Sequence, residues 1–545
     1  MALEPADYTS RPPLDNADVA ARLDEYAALL ELADAGYYTS RAYRRAAELI
    51  RATPAPIDEL VRSGRVRELR GIGPGIERRL RELVETGELA ELRELERTVS
   101  PELAALGGLL GLGAKRMTEI GRALGLTTAA ELRAAAAAGR LREAPGIGPK
   151  TEARIRAALE RATEAPARPL VLTRARALVG RIADALGGIA AGDPRRWCDS
   201  SSRLAVVVAA EDPGPVRDAF AALPEIVALL GPATGVTVEG TPIELVVAPV
   251  ASFGSALVRA TGSREWVAAL EPLPEAPDEA GVFAALGLPF VPPELREGQP
   301  STEPPPPLVE VAQIRGDLHC HTTWSDGRAT VLEMGEAARA LGYEYLAICD
   351  HTPNVTVVPG LDADALRRQA DEIAAANELL VPFRILRGAE CDIRADGSLD
   401  LPDEVLAELE WVQLSLHAGQ RAPRAELTAR VTEAMRHPAV RCLSHPTGRL
   451  IGHRPENALD LERTVAVALE TGVALEVNGL PDRLDLSGEH VRAALEAGAT
   501  IVCSTDAHSM VGLGNMPLAV HTARRGRATA ARVLNTRPLA AILRH

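Results

Sequence analysis

The chain has 545 residues, enough for three or four domains, and its 46% hydrophobic content supports buried cores. No apolar run reaches the roughly 18 residues of a membrane-spanning helix and no signal peptide opens the chain, so a cytoplasmic protein is expected. The formal net charge of −15 does not advertise nucleic-acid binding, yet residues 1–165 are nearly balanced, so the acid excess lies further on.

Three segments of the N-terminal third resemble one another: LRGIGPGIERRL (69–80), LLGLGAKRMTEI (109–120) and APGIGPKTEARI (144–155). Each places an apolar residue before Gly-x-Gly and then opens a helix. The pairs Gly71/Gly73, Gly111/Gly113 and Gly146/Gly148 allow a tight turn. Backbone amides and the following helix N-terminus then face one phosphate. The chain's only two lysines, Lys115 and Lys150, fall two residues past the second glycine in two of the copies. The pattern resembles helix-hairpin-helix units, which hold DNA backbone without reading sequence. Upstream, AARLDEYAALLELADAGYYTSRAYRRAAELI resembles the start of family X DNA polymerases. That family can carry a lyase lysine at the position matching Arg79. Guanidinium stays protonated and forms no imine, so no lyase activity is assigned.

Residues 166–300 resemble the family X catalytic core in outline. GDPRRW (192–197), SFGSALVRATGS (252–263) and AALGLPFVPPELREG (284–298) match its landmarks. The family places two aspartates, one residue apart, in the segment that here reads SRLAVVVAA. The matching positions are Arg203 and Ala205, and neither can hold magnesium. A third family aspartate matches Glu244, and the nearby Asp199 lies four residues too early to replace the pair. The expectation is a folded core without polymerase activity. STEPPPPLVE (301–310) reads as a semi-rigid linker, with the linker region spanning 301–312.

All eleven histidines lie after residue 316, most of them in short apolar runs that end in metal-ligand residues. In chain order the runs give His319, His321 and Asp326; Asp350 and His351; Glu390; His417; His445; and Asp506 and His508. Imidazole and carboxylate suit zinc, manganese or iron. Helical patterns separate the runs, which predicts parallel strands with crossover helices. Seven strand candidates are present, with VALEVNG the sixth, and ligands fall at the C-terminal ends of six of them. A (β/α) barrel places its chemistry at that end. His437, His453, His490, His521 and His545 lie outside the pattern and read as surface or loop residues. Cys320, Cys349, Cys391, Cys442 and Cys503 lie in the barrel strands, most within one or two residues of a ligand, and read as buried packing residues.

HxH, SDG, DH, a lone Glu, a lone His, HPTGR and DAH, in that order, resemble the PHP (polymerase and histidinol phosphatase) family. The resemblance implies a distorted seven-stranded barrel over 313–545 with two or three divalent ions. By resemblance His319, His321, Glu390 and Asp506 hold one ion. Glu390, His417 and His445 hold a second, and Asp326, His351 and His508 a third. Glu390 and Asp506 are the expected catalytic carboxylates, and Arg449 of HPTGR is a candidate phosphate contact.

Together these features resemble bacterial family X polymerase–PHP proteins. The expected fold is an all-α hairpin region (1–165), an α+β nucleotidyltransferase-like core and a distorted (β/α)7 barrel. The expected function is a metal-dependent phosphoesterase acting on DNA ends or damaged DNA, binding DNA without sequence preference. A small-molecule phosphatase of histidinol-phosphatase type and a working gap-filling polymerase are the alternatives.

Overall fold

The computed structural model describes the chain except for residues 1–18, 24–25, 28–29, 31–36, 53–56, 94–102, 104–109, 161–168, 356–358 and scattered single positions that include Gly111, Gly113 and His453. It divides into two compact units. One comprises Met1–Leu170, Asp184–Gly187 and Ser202–Val247; the other comprises Val171–Ala183, Gly188–Ser201 and Ala248–His545. Residues 166–300 are therefore shared between the two.

The first unit is helical up to residue 160. Two of its hairpins repeat the same local design. In each, a one-turn 3-10 helix (Val66–Glu68, Leu141–Glu143) leads to a glycine in the left-handed region, Gly71 at φ 109° and Gly146 at φ 72°. A buried isoleucine follows, Ile72 or Ile147, whose amide reaches back to Leu69 O or Ala144 O. Proline then opens a helix, Pro74–Thr86 or Pro149–Glu160, where its missing N–H costs nothing. Positive φ explains why each turn needs glycine at its first Gly position. The middle hairpin's glycines lie outside the described residues, although its helix, Ala114–Leu124, is present. Arg79 is ion-paired with Glu82 at 3.2 Å. The unit also contains strands β1 (Leu204–Ala209), β2 (Ile226–Gly231), β3 (Thr234–Thr237) and β4 (Pro242–Ala248), in the order β1-β4-β3-β2.

The second unit is built on seven strands: β5 (Gly316–Cys320), β6 (Tyr345–Ile348), β7 (Arg384–Asp392), β8 (Trp411–Ser415), β9 (Val440–Leu443), β10 (Ala474–Asn478) and β11 (Ile501–Ser504). They form one sheet in chain order, with parallel pairing throughout. A single parallel bridge, Cys320 to Ala507, brings the ends together into a nearly closed barrel. Helices cover the outside, so most strand residues are buried on both faces, as parallel sheets require. Thr330, Asp362, Asp460 and Ser487 cap four of these helices with their side chains. The five barrel cysteines are buried free thiols, as expected of packing residues. The linker's end is not free: Leu308 bridges Thr529, and Val309 is fully buried.

Glu279 closes an ion cluster in the second unit. Arg195 donates to both of its carboxylate oxygens, at 2.7 and 2.8 Å, and buried Arg296 pairs with it as well. Burial would raise its pKa, but these hydrogen bonds bring it from 4.5 down to about 2. A carboxyl depressed in the folded state stabilises above its unfolded pKa, and the contribution is lost as pH falls through the folded value. Glu279→Gln is expected to cost about 3 kcal/mol at neutral pH, because it leaves two arginines uncompensated. It should also flatten the decline in melting temperature between pH 4.5 and about 2. An acid limb unchanged in thermal melts would overturn this.

Candidate metal centre

The nine expected ligands converge where the barrel strands end. His319 and His321 leave β5 on the same side, because residues i and i+2 of a strand share a face. Their Nε2 atoms stand 3.2 Å apart, a separation that favours a shared cation between them. Asp506, just beyond β11, puts Oδ1 3.1 Å from His321 Nε2 and 3.7 Å from His319 Nε2. It is held at φ 53°, which turns its carboxylate inward.

Glu390, near the end of β7, has two occupied faces. Its Oε2 lies 3.7 Å from Nε2 of both His319 and His321 and 2.9 Å from His351 Nδ1. Its Oε1 lies 2.9 Å from His445 Nε2 and 3.6 Å from His417 Nε2. A carboxylate with imidazoles on both oxygens has the geometry of a bridging ligand. On the third side, Asp326 Oδ2 is 3.2 Å from His508 Nε2, and Asp326 Oδ1 is 3.6 Å from His351 Nε2. Three groups could each hold an ion: His321 with Asp326, His351 and His508; His319 with His321 and Asp506; and His351 with Glu390 and His417. His351 and His321 thus each belong to two groups, whereas the resemblance assigned each to one. His445 reaches the centre through Glu390.

The donor chemistry fits divalent cations. Nδ1 of His321 is buried without a hydrogen-bond partner. Buried imidazole nitrogens of this kind are costly unless a ligand takes them. Charge is already arranged around them. Burial opposes ionisation of Glu390 and Asp506, yet the facing histidines hold both carboxyls well below their ordinary range. His351, despite burial, is raised to about 10 by Glu390 and Asp326. His321 is lowered to about 4 by burial and by His508 and His351.

Several supporting residues were not anticipated from the sequence. Glu476 of β10 accepts from His319 Nδ1 at 2.7 Å, Ser504 Oγ at 2.5 Å, Gln413 Nε2 at 2.9 Å and the His445 amide at 2.6 Å. It thereby orients His319 with Nε2 toward the centre. Asp392 does the same for His417, 3.3 Å from Nδ1. The Asp506 carbonyl accepts from His508 Nδ1 at 2.8 Å. Asp350, which the sequence offered as a ligand-type residue beside His351, is in none of the three groups and instead gathers Thr322, Ser325 and Gln369, which fixes the loop carrying Asp326.

Arg449 is placed differently from the expectation. Its guanidinium donates to the main-chain carbonyls of Arg483 (2.9 Å) and Leu484, and it pairs with Asp199 at 2.7 Å. These partners make it a structural residue of the barrel's rim. The arginine beside the cluster is Arg483, whose Nε lies 3.7 Å from Asp506 Oδ2. His521 is not a surface residue: it stacks on Trp197 with ring centroids 3.7 Å apart and pairs with Glu294 at 2.8 Å.

Comparison with known proteins agrees with this layout. Residues 14–89 match a helix-hairpin-helix domain, 103–161 a SAM-like helix-hairpin-helix tandem, and 317–478 the PHP domain. A Bacillus subtilis protein named DNA polymerase/3′-5′ exonuclease PolX is 33% identical over 558 aligned residues, covering 96% of this chain and 97% of the relative. A probable phosphatase of Acetivibrio thermocellus is 31% identical over 207 residues, 36% of this chain and 81% of the relative. A probable phosphatase of Shewanella sp. strain MR-4 is 27% identical over 238 residues, 41% of this chain and 88% of the relative. The barrel is that of a hydrolase able to bind metal ions, and the chain belongs to the PolX family of bacterial polymerase–exonuclease proteins.

Proposed function

We propose that the chain is a metal-dependent nuclease of DNA repair. It would remove nucleotides from 3′ ends or cleave 3′-phosphate and abasic lesions, and its middle core would not synthesise DNA. The observation that carries this proposal is Glu390, with imidazoles on both carboxylate oxygens, at the end of a barrel in a chain that also carries matched hairpins. We assign two or three ions of zinc, manganese or iron to His319, His321, Asp326, His351, Glu390, His417, His445, Asp506 and His508. Such ions would supply a water nucleophile at neutral pH and neutralise charge on a phosphoryl group. The chain's own residues do the rest. Glu476, Asp392 and the Asp506 carbonyl fix imidazole orientation. Six of the nine ligands, His319, His321, His351, Glu390, His445 and Asp506, are buried, which restricts bulk water around them. The relative's printed name supports exonuclease activity, and the two barrel-length phosphatases support phosphoester chemistry at this type of site. A DNA-processing role is in keeping with a cytoplasmic location, and no described helix is long and apolar enough to cross a membrane.

Purified protein with Mn²⁺ should degrade 3′ ends, 3′-phosphate termini or abasic duplexes in preference to histidinol phosphate. Preference for histidinol phosphate would favour the small-molecule phosphatase instead.

DNA binding is assigned to the hairpins at Gly71, Gly73, Gly111, Gly113, Lys115, Gly146, Gly148 and Lys150. Lys150 is exposed in the first turn of its helix, where amides and dipole favour an anion. Lys150→Ala should weaken binding to unrelated duplexes about equally and reduce the slope of log affinity against log salt by about 1. An unchanged slope in anisotropy titrations would remove this contact.

A further inference from the structure

Arg483 sits on the rim turn between β10 and the following helix, Gly488–Ala497. Its Nε and Nη1 are buried and have no hydrogen-bond partner. Among the described residues, the one acidic atom paired with it, Asp506 Oδ2, is 3.7 Å away, beyond hydrogen-bond reach, and already accepts from Asn478 Nδ2 at 3.0 Å. A guanidinium is a strong charged donor, and leaving two of its nitrogens unmatched in a buried setting calls for an anion in the site. The anion that fits beside a metal cluster with no further carboxylate to spare is a phosphoryl group.

The turn holding this side chain is firmly built. Leu484, the next residue, is fully buried at φ 46°, a region branched side chains avoid. It packs with Leu172 and Leu518. Arg449 Nε donates to the Arg483 carbonyl at 2.9 Å and Nη2 donates to the Leu484 carbonyl. The Arg449 guanidinium is itself fixed by Asp199 at 2.7 Å. The Ile451 amide donates to the Asp482 carbonyl at 2.7 Å from the same side. Asp199 thus steadies, through Arg449, the backbone from which Arg483 projects.

We propose that Arg483 is a catalytic residue that contacts a non-bridging oxygen of the substrate phosphate, and that Arg449 and Asp199 are its positioning residues. The proposal rests on the phosphoesterase function above and adds a role for the middle segment that does not require polymerase chemistry. The Asp199 carboxylate, carried by the GDPRRW turn's continuation, belongs to the nuclease site's support.

Three variants of the full-length, metal-loaded protein test it. Arg483→Ala should lose about 10²–10³ in kcat, the range for removing one charge-stabilising donor. Metal content should stay at the wild-type level. Added guanidinium hydrochloride should restore part of the loss. Asp199→Asn should lower kcat by about tenfold with an unchanged melting temperature, and Asp199→Glu should recover part of it. Inorganic phosphate, titrated calorimetrically, should bind more weakly to Arg483→Ala than to the wild type. Wild-type kcat in Arg483→Ala, or a loss explained by missing metal with no guanidinium rescue, would overturn the proposal. If the wild type itself cleaves no phosphoester, the proposed function fails, while equal phosphate affinity of the two proteins would separately overturn the role of Arg483.

Discussion

Glu390→Gln is expected to lower phosphoesterase turnover by about 10³-fold or more, equivalent to about 4 kcal/mol of transition-state stabilisation. Gln has nearly the same shape, so the fold should survive, but it offers one neutral oxygen where two charged ones are used. Oε2 faces His319, His321 and His351, and Oε1 faces His417 and His445. No neighbouring carboxylate can take over both faces, since Asp506 and Asp326 are engaged on their own sides. Metal content should fall by at least one ion per chain. The change also removes the charge that raises His351 to about 10 against the effect of burial. In the metal-free wild type this imidazole is therefore protonated at neutral pH. A ligand must be deprotonated, so metal loading releases its proton and apparent affinity falls as pH is lowered. In the Gln variant that pH dependence should weaken. A folded variant with wild-type turnover and metal content would remove Glu390 from its bridging role.

The sequence exposed the ligands because each one ends an apolar run, and the end of a parallel strand is where a barrel gathers its chemistry. It could not reveal Glu476, which sits in VALEVNG as a lone acid inside a strand. Its importance arises from four donors contributed by separate segments. The choice between Arg449 and Arg483 was hidden for a similar reason. Adjacency to HPTG made Arg449 the natural phosphate contact, but contacts with Asp199 and the 483–484 carbonyls turn it away, and Arg483 comes in from the next rim turn. The sharing of His351 between groups follows from both ring nitrogens facing carboxylates, Nδ1 toward Glu390 and Nε2 toward Asp326. A strand-end position predicts that a ring arrives, not which nitrogens it offers. In the hairpins the glycine spacing was legible because positive φ at Gly71 and Gly146 leaves little choice of residue. The sharing of residues 166–300 between two units was not, since it depends on long-range packing such as Trp197 against His521.

The second large effect concerns synthesis: the chain is expected not to extend primers, even though its Bacillus subtilis relative carries polymerase in its name. Phosphoryl transfer of this type depends on positioning and on metal ions that neutralise the transferring group. The two positions matched by resemblance to the family's ion-binding aspartates are Arg203, a half-buried cation, and Ala205, which is fully buried in β1 and has no side-chain polar atom to offer. Glu244 is exposed on β4 and stands alone at its site. Asp199 cannot stand in, because its carboxylate is bound to Arg449 at 2.7 Å. Loss of a catalytic metal site removes several kcal/mol of stabilisation, and each ~1.4 kcal/mol is a factor of ten in rate. Nucleotide addition should therefore fall below detection. The measurement uses Asp506→Asn, whose disabled barrel cannot erase a product, on a gapped duplex with all four dNTPs and Mn²⁺ or Mg²⁺. Restoring acids by Arg203→Asp with Ala205→Asp is a demanding companion, since Ala205 is fully buried and a carboxylate there would be desolvated, and it should not by itself create synthesis. Template-directed addition of a single nucleotide by Asp506→Asn would show that the carboxylates lie elsewhere in the middle segment and that the match of SRLAVVVAA to the polymerase aspartates is misplaced.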